Sequence, residues 1–210
     1  HFIVIDVDKR KIEALKTSQD VEPYLYEPGI ITKLSERADV AVTALPSNIA
    51  FRPILELAGH CVNTVDVSFF LQDPYILDKV LEDCHSRLII DAGFAPGYSN
   101  IVVGYAHRRL NLSEDIEIAV GGLPEIPIPP LGYTVTWNPR DLLEEYIRPA
   151  RYVENHVIKT AKPIETVKPI EIKEVGLFEG FISDGLRTML RNIRACLLYT
   201  SPSPRDRTRS

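Results

Sequence analysis

Acidic residues stand at the ends of several apolar stretches in the first half of the chain. Asp6 ends "FIVID", Asp66 lies two residues before Ser68 in "CVNTVDVS", and Asp91 ends "RLIID". In an open α/β sheet, ligands lie in the crevice at the carboxyl ends of the strands. A carboxylate placed there can bond a ribose hydroxyl or stabilise a developing positive charge. We therefore take Asp6 as a candidate cofactor contact, Asp66 as a candidate for both catalysis and cofactor binding, and Asp91 as a candidate catalytic residue.

The position of Asp6 is typical of the carboxylate that bonds the adenine ribose of a dinucleotide, about 20 residues after a glycine-rich turn. This interpretation requires that the chain begin just after that turn. An acid at this place favours NAD as the cofactor, although Lys9 and Arg10 stand next to it and suit the 2′-phosphate of NADP. The alternative is a strand-end carboxylate with a structural role, since Asp8 is the better helix cap.

A sharp turn follows Asp91 in "IIDAGFAPGYSN", residues 89–100. Its glycines allow the backbone to approach a ligand closely, Pro96 stands just before the next helix, and the start of that helix supplies N–H groups. The alternative is a tight connection with no ligand. The candidate cofactor contacts at strand ends, besides the two aspartates, are Ala44, Leu45, Pro46, Gly93 and Pro96.

The elements that must position these residues alternate regularly from Phe2 to Leu110. Short Val/Ile/Leu-rich strands are followed by amphipathic helices, which predicts an α/β, Rossmann-type doubly wound parallel sheet buried on both faces. Beyond Asn111, "DIEIAVGG" and "YTVTW" alternate with period two, and a Lys/Glu/Val/Ile-rich stretch predicts an α+β domain with a mostly antiparallel sheet. We place the first domain at residues 1–112, with its first βα unit missing, and the second, truncated, at 113–195.

Composition limits the partners. The chain has 210 residues, 45% of them hydrophobic, and a formal net charge of -5, which argues against a nucleic-acid surface. No apolar run approaches the ~20 residues of a membrane helix, and no leader with a cleavage site is seen. We expect a cytoplasmic protein with a small-molecule partner, and neither nucleic acid nor membrane as a partner.

The three cysteines, Cys61, Cys84 and Cys196, form no CxxC pair. This spacing indicates neither a disulfide framework nor a zinc site. Cys61 follows His60 and Cys84 precedes His85, a mirrored arrangement that would suit a metal. We favour buried thiols, because free cysteine is most often a core residue, and we predict no metal.

Both ends of the chain have unusual composition. The chain begins directly in a strand without Met, so we interpret it as a fragment. From Cys196 the sequence reads "CLLYTSPSPRDRTRS", where Pro, Ser and Arg replace the periodic apolar pattern. These residues resemble the translation of a sequencing-library adapter, so we predict that 196–210 is non-native and unpacked. The alternative is a basic tail for an acidic partner.

One competing motif is the YxxxK of short-chain dehydrogenases, matched by Tyr75 and Lys79. In that family the tyrosine donates a proton and the lysine lowers its pKa. Here Ser68 is only seven residues upstream, nearer than the catalytic serine of that family. A short-chain or sugar dehydrogenase is therefore the less favoured alternative.

Four segments resemble the saccharopine dehydrogenase superfamily, especially its lysine 6-dehydrogenase-like members. They are "IIDAGFAPGYSN", "VGGLPEIPIPPLGYTVTW", "LLEEYIRPARYVEN" and "GLFEGFISDGLRTML", in that order, and the resemblance extends from Phe2 to Arg194. It implies an NAD(P)-binding Rossmann domain, and an α+β domain that covers the substrate and usually makes a homodimer. It also implies hydride transfer at a carbon that bears nitrogen.

The resemblance is closer to the lysine-dehydrogenating branch than to the saccharopine-forming one. Saccharopine-forming relatives carry acidic residues where this chain has Ala95 and Ser99, a His at Asn100 and a Cys at Val120. The segment "SDGLRTML" is not the usual ending of the lysine branch, which leaves the exact substrate open.

Amine oxidation sets the requirements for the site. The amine must be neutral to lose hydride, and the developing iminium is cationic, so carboxylates at Asp66 and Asp91 suit the nitrogen end. The α-carboxylate of an amino acid suits an arginine fork. Arg148, Arg151 and Arg187 are available, and we select Arg148 and Arg187 as substrate-binding candidates. Each also has the ordinary alternative of a surface salt bridge.

Tyr133 and Trp137 alternate on one predicted strand after the Gly/Pro loop. We assign Tyr133 a catalytic role and Trp137 a substrate-binding role, with core packing as the alternative. The predicted function is an NAD(P)-dependent amino-acid dehydrogenase acting on CH–NH or CH–NH2 groups. The alternative is a non-catalytic nucleotide-binding regulator, because a fold does not determine a function.

Overall fold

The structure is a computed structural model that describes residues 1–110, 115–124, 126, 128–129, 134–135, 138–202 and 205–206. The chain divides into two compact units, His1–Ile90 and Asp91–Ser210. The division falls before Asp91 rather than after residue 112. The reason is that the helix Tyr98–Leu110 belongs to the second unit, where its Val103 packs against a buried apolar cluster.

The first unit alternates strands and helices. Its elements are β1 (Phe2–Asp6), α1 (Lys9–Leu15), β2 (Val21–Leu25), α2 (Ile30–Ser35), β3 (Ala41–Thr43), α3 (Ser47–Gly59), β4 (Thr64–Asp66), a 3-10 turn (Pro74–Leu77), α4 (Asp78–Leu81) and β5 (Leu88–Ile89). β1 pairs with β2, and β4 pairs with β3 and β5, all in parallel. The predicted α/β fold class with parallel strands is confirmed.

Two elements of this unit, β2 and α2, were not predicted. β2 contains Pro23, which lies opposite Val4 of β1. Proline has no backbone N–H, so it weakens a strand pattern and is found on edge strands. β2 is such an edge, since it pairs only with β1 in its two-stranded sheet.

The parallel strands form two separate sheets, β1–β2 and β3–β4–β5. Both sheets contribute to one core. Ile3 and Ile5 of β1 and Ala41 of β3 all pack against the same buried cluster. That cluster consists of Ile30, Ile31, Leu34, Leu57 and Val62.

Burial of the strands on both faces was predicted and is wrong. In β3 the exposure alternates, because Val42 is 69% exposed while Thr43 is buried. Ile89 of β5 and Phe2 of β1 are also exposed. β3 is thus covered on one face only, whereas the residues of β1 after Phe2 and those of β4 are buried or half-buried.

The prediction of buried free thiols at Cys61 and Cys84 is also wrong. The two residues are joined by a disulfide, with Cα atoms 5.4 Å apart. Cys61 is exposed and Cys84 is half-buried, while Cys196 is a free thiol. The sequence does not reveal this bond because it depends on the packing of α3 beside α4.

Loss of this disulfide is expected to destabilise the first unit. The bond joins residues 23 positions apart, so breaking it with a dithiol reductant should lower the free energy of unfolding by about 3 kcal/mol. Urea denaturation of oxidised and reduced protein measures this difference. The double variant Cys61→Ser/Cys84→Ser should match the reduced protein, while Cys196→Ser should still respond to reductant. An unchanged midpoint on reduction would contradict the bond.

The second unit contains two sheets. Its elements are α5 (Tyr98–Leu110), β6 (Asp115–Val120), α6 (Pro139–Ile147), β7 (Ala150–Glu154), β8 (Val157–Ala161), a 3-10 turn (Pro163–Thr166), β9 (Lys168–Ile172), β10 (Gly176–Gly180), α7 (Met189–Asn192), β11 (Leu197–Pro202) and β12 (Arg205–Asp206). The strand orders are β6–β11–β7–β8 and β12–β10–β9. No helix among the described residues combines the length and apolar character needed to cross a bilayer.

Most pairings of this unit are antiparallel, as expected for β7–β8 and β9–β10. The first sheet is mixed, however, because β11 runs parallel to β6 and antiparallel to β7. The predicted strand "YTVTW" lies largely outside the described residues, and Thr134 and Val135 are in no strand.

The expectation that residues 196–210 are unpacked is wrong for Leu197–Pro202. Leu197–Pro202 forms β11, an inner strand of the mixed sheet, and Leu198 is fully buried. Leu198 packs with Val153, Leu186 and Met189 in the core of this unit. The run "LLYTS" contains Tyr199 and Thr200, and aromatic and β-branched residues of this kind are favoured in strands.

Candidate functional site

In the first unit, Asp66 joins the carboxyl ends of two strands. The Thr43 hydroxyl donates to Asp66 Oδ1 at 2.6 Å, and the Ser68 N–H donates to the same oxygen at 3.1 Å. Ser68 Oγ in turn accepts the Leu45 N–H at 2.9 Å. Asp66 is fully buried, and its Oδ2 has no hydrogen-bond partner among the described residues. The geometry favours a structural role for Asp66, which connects the carboxyl ends of β3 and β4.

The other predicted cofactor contacts at this edge differ in accessibility. Ala44 and Pro46 are exposed, whereas Leu45 is half-buried and held by Ser68. Pro46 precedes α3, and its carbonyl accepts the Ile49 N–H at 3.1 Å. Backbone at this edge is therefore accessible to a ligand on either side of Leu45.

Asp6 remains partly accessible at the end of β1. Its Oδ1 accepts the Asp8 N–H at 2.8 Å, and its Oδ2 lies 3.8 Å from Lys11 Nζ. The side chain is 34% exposed. Asp8 caps α1 by accepting the Arg10 N–H, so the prediction that Asp8 is the helix cap is confirmed.

In the second unit, the structure brings together two residues that the sequence analysis placed in different roles. Arg187 Nε donates to Asp91 Oδ1 at 2.9 Å, and the Thr188 N–H donates to Asp91 Oδ2 at 3.2 Å. The side chains of Arg187 and Asp91 are 3% and 1% exposed. This arrangement favours a structural role for both, since each predicted role requires contact with a ligand.

The turn after Asp91 is closed by hydrogen bonds among its own residues. The Tyr98 N–H donates to Gly93 O at 2.9 Å, and the Gly97 N–H donates to Asn100 Oδ1 at 3.1 Å. Gly93 and Pro96 are half-buried. The turn therefore leads directly into α5 and leaves part of its surface accessible.

Two charged residues, one in helix α6 and one directly after it, are half-buried. Leu143 and Ile147 are 61% and 71% exposed, whereas Glu145 and Arg148 are half-buried. Burial lowers the pKa of Arg148, against the opposing attraction of Asp184 and Glu145. Half-buried charge with exposed apolar residues reverses the usual amphipathic pattern and marks Arg148 as a functional candidate.

Burial also raises the pKa of Glu145, and the positive charge of Arg148 only partly offsets it. A raised carboxyl pKa means that the folded state holds the proton more tightly, so stability falls as pH rises through that pKa. We expect Glu145→Gln to be more stable than the wild type near neutral pH, with the difference vanishing in acid. Thermal unfolding across pH measures this effect. A variant less stable at neutral pH would show that the attraction to Arg148 dominates.

Arg151 is held by a bidentate ion pair. Its Nε donates to Asp184 Oδ1 at 2.8 Å and a terminal nitrogen donates to Asp184 Oδ2 at 2.9 Å. The Asp184 side chain is 9% exposed, against 47% for Arg151. The pair connects β7 to the segment that contains Arg187.

The remaining predictions concern Tyr133 and Trp137, the YxxxK pair and metal binding. Tyr133 and Trp137 lie outside the described residues. Tyr75 lies in a 3-10 turn and Lys79 is exposed on α4, so the YxxxK pair does not share one helix. No group of three or more metal-ligating side chains occurs in the described part of the chain.

Two residues near the candidate site are not recognisable as partners from the sequence. Thr43 is not recognisable as a partner of Asp66, because the two lie opposite each other on neighbouring strands. Glu145 is one of several acidic residues in "RDLLEEYI", and the sequence does not distinguish it from the others. Its position three residues before Arg148, which directly follows the helix, is the one signal that was available.

Comparison with known proteins agrees with this architecture. Residues 93–196 match the family model of the saccharopine dehydrogenase C-terminal domain. Among solved structures, the chain is similar to apo histidine-tagged saccharopine dehydrogenase (L-Glu forming) from Saccharomyces cerevisiae, with a TM-score of 0.67 and 17% sequence identity. The match covers 97% of this chain and 54% of that one, so the chain spans about half of its length.

Residues 93–196 thus match a saccharopine dehydrogenase C-terminal domain and are preceded by a parallel α/β unit. The family match, which covers about half of the chain, and the similar fold both support a relationship to the saccharopine dehydrogenase superfamily. The family match ends at residue 196, where the sequence analysis begins the tail.

Proposed function

We propose that this chain is part of an NAD(P)-dependent dehydrogenase that moves hydride at a C–N bond of an amino acid, as in lysine 6-dehydrogenase or saccharopine dehydrogenase. The observation that carries the proposal is the union of a parallel α/β unit with a saccharopine dehydrogenase C-terminal domain in one chain. When bound, the nicotinamide cofactor accepts or supplies the hydride.

The strand ends of the first unit fit a dinucleotide. Asp6 is one-third exposed and Oδ1 already orients it by accepting the Asp8 N–H, which leaves Oδ2 to accept a ribose hydroxyl near Lys11. At the second sheet, Asp66 and Ser68 hold the backbone of Leu45. We propose that these side chains shape the crevice floor, while Ala44 and Pro46 contact the cofactor.

The division of the sheet supports the same function. Among the described residues, β1 pairs only with β2 and β3 pairs only with β4, yet both contribute to one core. A further parallel strand between β1 and β3 would make one continuous doubly wound sheet, with its carboxyl end at the crevice. We propose that residues of the protein preceding His1 supply this strand and the glycine-rich turn that cradles the pyrophosphate.

Arg148 is the proposed anchor for the α-carboxylate of the substrate. It is a half-buried cation, and a cation in such a place binds a carboxylate more strongly than one in open water. Asp91 and Arg187 are bound to each other, so we assign them to positioning rather than to the substrate. Tyr133 and Trp137 remain candidates for catalysis and substrate contact.

The decisive experiment uses the protein expressed from its full reading frame. Lysine, saccharopine, related diamino acids and simple alcohols are tested with NAD and NADP, and formation of the reduced cofactor is followed. We expect turnover of lysine with NAD, increasing with pH because only the neutral amine can lose hydride. Turnover of alcohols without amines would overturn the C–N assignment. Cofactor binding without any turnover would favour the non-catalytic regulator.

A further inference from the structure

Asp91 and Arg187 form the most deeply buried ion pair among the described residues. They lie 96 positions apart in the sequence. Burying two charges is costly, and even a well-bonded pair adds little to stability compared with apolar residues of the same size. The best attested benefit of such a pair is that it specifies one arrangement of the chain.

The backbone at both residues supports this interpretation. Asp91 has φ +53° and Arg187 has φ +45°, in the left-handed region that residues other than glycine rarely adopt. Such conformations persist where the surrounding structure imposes them, and they cluster at functional sites. Here the two unfavourable conformations occur at the two members of one ion pair.

A second connection joins the same segments. Asn100 Nδ2 donates to Thr188 Oγ1 at 3.1 Å, while Asn100 Oδ1 accepts the N–H of Gly97. The Thr188 N–H already donates to Asp91. Residues 187–188 are therefore bonded to both ends of the 91–100 turn.

We propose that Asp91 and Arg187, with Asn100 and Thr188, are positioning residues that hold the 91–100 turn in one conformation against residues 187–188. The ion pair determines how the chain leaves Asp91, and the Asn100 bond determines where α5 begins. Neither charged residue contacts substrate or cofactor. They act through the turn, which carries Gly93 and Pro96.

The proposal gives the charge pair a role that apolar packing could not fill. An apolar contact has no preferred direction, whereas Asp91 accepts one hydrogen bond on each oxygen from two consecutive residues. The direction of the turn is thereby defined. The functional part of this inference rests on the proposed dehydrogenase activity, but the positioning itself does not.

The test compares Asp91→Asn and Arg187→Met, singly and together, with Val153→Ala in the full-length protein. Val153 is a buried residue of the same core, and its apolar side chain makes none of the hydrogen bonds of the pair or the turn, so its variant is a control for stability loss. Hydrogen exchange of the Gly97 and Thr188 amides, unfolding midpoints, and kcat and KM with lysine are measured for each protein.

We expect the Gly97 and Thr188 amides of both single variants to exchange about tenfold faster or more, beyond the change at other amides of the unit. kcat/KM should fall about tenfold or more at temperatures where the variants remain folded, and the double variant should be no worse than the worse single variant. Val153→Ala should lose stability with uniform effects on exchange and little change in kcat/KM.

The inference is overturned if the Asp91 and Arg187 variants behave as Val153→Ala does, or if their effects add. Thr188→Val removes only the Asn100 bond and buries no unpaired charge, so it tests the turn even if an ion-pair variant does not fold. It should accelerate exchange at Gly97, and unchanged exchange there would also count against the proposal. If the wild type turns over no amine, the proposed function fails, while the exchange data still decide the positioning role.

Discussion

Replacing Gly97 by alanine is expected to lower the free energy of unfolding of the second unit by about 3 kcal/mol or more. A Cβ at Gly97 would lie 1.9 Å from Gly93 O and 2.4 Å from Gly93 C, and these are backbone atoms that cannot rotate away. The residue also has φ +145°, which side chains disfavour. Urea denaturation followed by circular dichroism measures the loss.

Gly104→Ala is the matched control for this prediction. Gly104 lies inside α5, a few residues further along, and no atom lies within 4 Å of its added Cβ. Alanine there should stabilise the helix by about 0.5–1 kcal/mol, because glycine is a poor helix former. Equal effects at the two positions would show that the turn is not closed as described.

Replacing Arg148 by methionine is expected to raise KM for the amino-acid substrate about 10- to 100-fold, with a smaller change in kcat. The reason is that a charge-assisted bond to the α-carboxylate contributes about 1.5–3 kcal/mol and is made equally in the ground state and the transition state. Methionine preserves much of the apolar stem, so the packing of the half-buried side chain is largely retained. Steady-state kinetics with lysine measures both constants.

Arg140→Met controls for the loss of a positive charge at the other end of α6, since Arg148 directly follows that helix. Arg140 is exposed at the start of α6. Its backbone N–H donates to Oδ1 of Asn138, the helix cap. Its substitution should change KM by less than about threefold. If Arg148→Met lowered kcat and left KM unchanged, the side chain would act on the transition state instead of anchoring the substrate.

Several elements were predictable because their signals are local. The segment "YSNIVVGYAHRRL" forms α5 from Tyr98 to Leu110, and "DIEIAV" forms β6. Asp8 caps α1 by a bond to a residue two positions away. Periodicity and capping involve residues only a few positions apart, so a single sequence contains all that is needed to recognise them.

Edges and faces were less predictable. Pro23 made β2 difficult to recognise as a strand from the sequence. Proline is tolerated there because the strand has a neighbour on one side only in its sheet. Val42 looked like a core residue and is exposed. Apolar side chains tend to be buried. Whether a particular one is buried depends on the elements that pack around it.

The sequence by itself determined the parallel strand–helix alternation of the first unit and the helix that follows the "GFAPG" turn, and it indicated the family through a resemblance. Only the tertiary structure decided which side chains meet: Cys61 with Cys84, Thr43 with Asp66, and Asp91 with Arg187. Local patterns arise from backbone geometry repeated over a few residues, so the chain states them directly. Contacts between distant residues arise from how whole elements pack. For that reason two charged residues 96 positions apart were taken for ligand-binding groups, whereas the fold binds them to each other.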